Sequence, residues 1–97
     1  MNETPEKEYS VLYRLHAIQR MAERNVSTEE LGRIIKTGKV LERYKNDSPF
    51  PSRLILGQVN DRPLHVVIVE NNIENKIIVT TVYEPDPRKW SKNDERR

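Results

Sequence analysis

The chain has 97 residues, 35% of them hydrophobic and 33% charged, with 17 Lys and Arg against 15 Asp and Glu for a net charge of +2. That length holds one domain around one modest core, and the absence of cysteine excludes disulfides, thiolate metal sites and a thiol nucleophile. A balance this close to neutral gives no general attraction to nucleic acid, so a role there has to come from where the charges sit.

Met1 to Glu8 is polar and carries Pro5, which is not the pattern of a secretory signal. The longest apolar run, Val66 to Val69, falls far short of the roughly 20 residues of a membrane span. These features predict a soluble cytoplasmic protein with no membrane partner. Residues 1–9 are read as a flexible arm, 10–90 as a single domain and 91–97 as a disordered tail.

In chain order, the first helix is expected from near Ser10 to about Arg24, because Val11, Leu15, Ile18 and Ala22 recur three and four residues apart. Asn25 suits its end. Ser27-Thr28-Glu29-Glu30 is a capping box for a second helix, flanked by Val26 and Leu31 as a hydrophobic staple. Leu31, Ile34 and Ile35 form its inner face, Lys36 suits its negative end, and Gly38 is expected to stop it in a left-handed conformation.

Strands follow at 39–45, 53–59, 64–70 and 76–83, separated by a proline-bearing loop at 46–52 and by polar turns at 60–62 and 71–75. Pro85 and Pro87 end the last one, and Trp90 is placed to fold back as a cover. The expected fold is α+β: two N-terminal helices packed on a four-stranded antiparallel sheet.

Two sets of residues can carry chemistry. In the first helix, Tyr13, His16, Arg20 and Arg24 fall on one flank beside the apolar stripe. His16 and Arg20 are one turn apart, and an imidazole beside a guanidinium fork suits a phosphate. The plain alternative is an ordinary solvated helix flank. In the third strand, His65 shares its parity with Val67 and Val69, opposite Leu64, Val66 and Ile68. A histidine in an apolar strand is more often a hydrogen-bonded structural residue than a catalyst, but Thr81 and Tyr83 share a face of the last strand in the same way and would make that face polar. Two histidines without matching carboxylates make no metal site, and no cofactor motif is present.

The stretch from His16 through Arg20, Arg24 and Asn25 to Ser27 resembles the opening motif of the domain-of-unknown-function 4258 family. The resemblance continues at Gly38, at Leu54-Ile55-Leu56-Gly57, at Arg62-Pro63-Leu64-His65-Val66-Val67, and at Thr80-Thr81-Val82-Tyr83-Glu84-Pro85-Asp86 with Trp90. That family is similar to the small microbial RNase toxins of the RelE/barnase-like fold. The resemblance implies metal-independent cleavage of RNA by His16, Arg20 and His65, without a cofactor, in a chain that serves as the toxin of a toxin–antitoxin system with an antitoxin protein as partner.

RNA brings its own nucleophile, the 2′-OH, so an imidazole to move a proton and a guanidinium to hold the phosphorane charge would suffice. Arg24, Tyr44, Thr81, Tyr83 and Trp90 are the substrate-binding candidates, the aromatic ones by stacking on bases. A non-catalytic nucleic-acid-binding module and a protein-interaction module using an exposed sheet edge are the alternatives. The sequence leaves the oligomeric state open.

Overall fold

The capping box forms as its residues require. In the computed structural model, which describes residues 9–85, the Glu30 N–H donates to Ser27 Oγ at 3.0 Å and the Ser27 N–H donates to Glu30 Oε1 at 2.9 Å. This starts helix α2 (Thr28–Thr37), and Val26 and Leu31 on either side of the cap are both buried. Before it, helix α1 (Leu15–Glu23) ends at Asn25, whose φ of 55° is the left-handed turn an asparagine tolerates.

Ser27→Ala is therefore expected to lower the unfolding free energy by about 1 kcal/mol, read from a denaturant midpoint at unchanged slope. The same contact, led by the hydrogen bond from the Ser27 N–H, holds the Glu30 carboxyl below the usual carboxylate range. Because its folded value is depressed, its stabilising share is present above the unfolded value and disappears as pH falls through the folded one. The stability difference between the native chain and Glu30→Gln should accordingly vanish in acid.

Five strands make one sheet: β1 (Ser10–Tyr13), β2 (Lys39–Tyr44), β3 (Ser52–Val59), β4 (Arg62–Asn71) and β5 (Lys76–Tyr83), in the order β1-β5-β4-β3-β2. β2 to β5 form the expected antiparallel meander. The β3–β4 turn is the tight pair Asn60 and Asp61, both at positive φ. At the β4–β5 turn, Asn71 Oδ1 accepts from the N–H groups of Ile73 and Glu74.

The expectation of four antiparallel strands is corrected by β1, which lies parallel to β5 with Ser10 opposite Lys76 and Tyr13 opposite Val79. The sheet is therefore five-stranded and mixed, and a strand precedes the two helices. The sequence pattern places Ser10 to Tyr13 in the first helix because Val11 sits four residues before Leu15. Its own pattern is that of a strand, with Val11 and Tyr13 turned inward and Ser10 and Leu12 outward.

The helix stripe moves with it. Ala17 and Met21 are buried, whereas Leu15 and Ile18 are 70% and 50% exposed.

Both helices cover one face of the sheet. Ala17, Met21, Leu31 and Ile34 pack with Ile55, Leu64, Val66, Ile68, Val79 and Val82 in a single core. Gly38 is a second correction: its φ of −68° and ψ of 164° are extended, and no glycine in the described residues has a positive φ. The glycine is there for space, since a Cβ would stand 2.6 Å from the Ile34 carbonyl oxygen and 2.7 Å from that of Leu56. Among the described residues no helix is long and apolar enough to cross a membrane.

Candidate functional site

Strand alternation sorts the candidate residues between the two faces. Leu64 and Val66 of β4 belong to the core under the helices, so His65 between them points to the opposite, helix-free face. Direct strand partners share a face. Lys39, Leu56, His65 and Tyr83 therefore form one row across β2, β3, β4 and β5 on that side. Glu42, Leu54, Val67 and Thr81 form the next row, and Tyr44, Ser52, Val69, Ile78 and Leu12 the one after. Four of the candidates, His65, Thr81, Tyr83 and Tyr44, thus stand on one face, over which no helix lies among the described residues.

The first row brings an imidazole and a phenol together. His65 Nδ1 and Tyr83 Oη are 3.4 Å apart, and the rings meet edge to face with centroids 5.3 Å apart. The imidazole is 1% exposed and the phenol ring partly so. Tyr83 is the member of the pair that a solvent-borne ligand can reach, with His65 behind it. Lys39 is exposed at the other end of the row. Its Cα lies about 10 Å from that of His65 at the usual strand spacing. At the far end of β2, the Tyr44 hydroxyl donates to Glu42.

The helix-1 set is not part of this arrangement. His16 is exposed on α1, over the other face of the sheet, and the sheet stands between it and His65. Arg20 donates to Glu23 at 3.0 Å on the helix surface. Arg24 lies at the end of β5, with Nη1 3.7 Å from Glu84, while its carbonyl oxygen accepts from Arg62 Nη2 at 2.6 Å. The expected meeting of His16 and Arg20 with His65 in one hollow does not occur, because α1 packs on the core side of the sheet and the β4 register turns His65 to the reverse side. Trp90 and the tail expected at 91–97 lie outside the described residues, as do the first eight residues of the arm.

Lys39 is not singled out by the sequence, because its local context carries little information. It follows a helix and begins a strand, and only the β2–β3–β4 register aligns it with His65. A lysine directly after a helix-ending glycine, at the head of a strand, was the one available signal.

The family described as Domain of unknown function (DUF4258) matches residues 13–84. The chain belongs to that family. No curated protein and no solved structure matches it.

Proposed function

We propose that the chain is a metal-independent endoribonuclease that works on the helix-free face of the sheet, with Tyr83 and His65 as a proton-transfer pair. The observation that carries this reading is the 3.4 Å approach of an imidazole nitrogen to a partly exposed phenol, on two central strands of the face opposite the two helices.

In this form Tyr83 touches the RNA. As the phenol takes the proton of the 2′-OH, its own proton passes to His65 Nδ1; the 2′ oxygen then bonds to phosphorus. The bond to the 5′ oxygen breaks as a proton returns through the same phenol, leaving a 2′,3′-cyclic phosphate. Lys39 supplies positive charge to the phosphorane, and Thr81 and Tyr44 line the path of the strand. His16 and Arg20 have no part in the step.

The family resemblance supports the same chemistry, and with it a role as the toxin of a toxin–antitoxin system whose antitoxin protein is the partner.

The test is incubation of the purified chain with single-stranded RNA in EDTA, with the ends of the fragments analysed. Cyclic phosphate ends are expected, and Lys39→Ala should slow their appearance at least tenfold. RNA retained on the folded chain but never cut would leave a binding module in place of an enzyme. RNA neither bound nor cut would remove both.

A further inference from the structure

Beyond Leu56 the outer edge of β3 loses its neighbour. β2 starts at Lys39, opposite Leu56, so Gly57, Gln58 and Val59 pair with β4 alone. The last turns of α2 lie over this step, and Ile34 sits so close to Gly57 that a Cβ there would stand 2.4 Å from it. An open cleft of about 260 Å³ remains, lined by Glu30, Arg33, Thr37, Lys39, Gln58 and Gly57.

We propose that this cleft is a nucleotide subsite that takes a guanine base and its phosphate, and so sets which base of an RNA lies beside Lys39; its use in catalysis rests on the nuclease reading. The cleft opens at the sheet edge on the α2 side, and it shares Lys39 with the row that ends at Tyr83 on the opposite face.

The cleft is smaller than the roughly 300 Å³ at which pockets for drug-sized ligands begin, which suits one base and its sugar. Arg33 and Lys39 are the cations for the phosphate. The Gln58 amide both donates and accepts, and the free edge of β3 adds main-chain N–H and C=O groups that no strand engages among the described residues.

Glu30 decides the base. Its carboxylate is fixed at the first turn of α2 by the Ser27 N–H, and it is held ionised there. An ionised carboxylate only accepts hydrogen bonds. Guanine presents two adjacent donors, N1–H and the 2-amino group. Uracil presents one between two carbonyls, and adenine pairs its amino donor with a ring acceptor.

The experiment is titration of the ¹⁵N-labelled full chain with 5′-GMP, AMP, CMP, UMP and inorganic phosphate, followed by amide shifts. GMP is expected to shift Arg33, Lys39, Gly57 and Gln58 saturably and to bind at least tenfold more tightly than the other nucleotides. Glu30→Gln, which can keep its acceptor oxygen at the cap, should abolish that preference, and Arg33→Ala should weaken all four nucleotides. Shifts that phosphate alone reproduces, shifts confined to other residues, or equal binding of all four bases would overturn the proposal. The two readings separate cleanly: GMP in the cleft with RNA uncut removes the nuclease and keeps the subsite, whereas RNA cut with no GMP response at these residues does the reverse.

Discussion

Tyr83→Phe is expected to lower RNA cleavage by roughly 10²–10⁴-fold, the usual contribution of one positioned acid or base, without unfolding the chain. The substitution removes only the hydroxyl. The ring keeps its edge-to-face contact with His65, and the β4–β5 ladder, which is main-chain bonding, is untouched. His65→Ala is the poorer probe, because deleting a side chain that is 1% exposed leaves a cavity and confounds activity with stability.

His16→Ala completes the comparison. In the arrangement first expected from the sequence it would be as damaging as any change at the strand histidine; with the sheet between the two imidazoles it should leave the rate unchanged. The measurement is the single-turnover rate on a labelled oligonucleotide, with thermal melts to show that all variants are folded. Native rates in Tyr83→Phe, or a large loss in His16→Ala, would move the chemistry off the helix-free face.

Gly38→Ala should cost about 2–3 kcal/mol, near the upper end for forcing atoms into a packed site, and lower the melting temperature by about 10–20 °C for a domain of this size. The new methyl would meet two carbonyl oxygens, those of Ile34 and Leu56, and the Ile55 Cγ2 at 2.6 Å. Backbone on two sides cannot rotate away as the tip of a long side chain would. Either α2 lifts from β3 or the start of β2 shifts.

Gly32 provides the contrast. It sits inside α2, where a Cβ would meet nothing within 4 Å, so Gly32→Ala should stabilise by about 0.5–1 kcal/mol through helix propensity alone. Opposite signs at two glycines six residues apart, measured by chemical denaturation, would show that volume at Gly38, not backbone freedom, is what the α2–β3 junction demands.

Local chemistry was legible in the sequence wherever a few adjacent residues decide it. The Ser27–Glu30 cap, the turn at Asn60-Asp61 and the extent of β5 follow from hydrogen-bonding side chains and from proline positions. Ser10 to Tyr13 was misread because a four-residue strand is too short to display its own period, and Val11 fell by chance into register with a helical stripe. Its structure comes from β5, sixty-six positions along the chain, where Ser10 meets Lys76. Gly38 was correctly read as a stop but for the wrong reason, since the crowding around it comes from β3.

The candidate site divides the same way. Parity correctly placed His65, Thr81 and Tyr83 together, because alternation along a strand is local. Which face of the sheet α1 would cover, and that Lys39 would align with His65 across β3, depend on register and packing, which no window of neighbouring residues contains.

The parallel seam between β1 and β5 also bears on how the protein comes into being. β1 has no partner in the sheet until β5, sixty-six positions later, has left the ribosome, so the contacts that join it to the sheet are long-range. Such long-range closure is slow compared with helix formation, and during translation the early strand must wait beside two helices that have nothing yet to cover. If the chain does cut RNA, this ordering carries a safeguard: Tyr83 is added together with the strand that closes the sheet, so a prematurely terminated chain would be both unfinished and harmless.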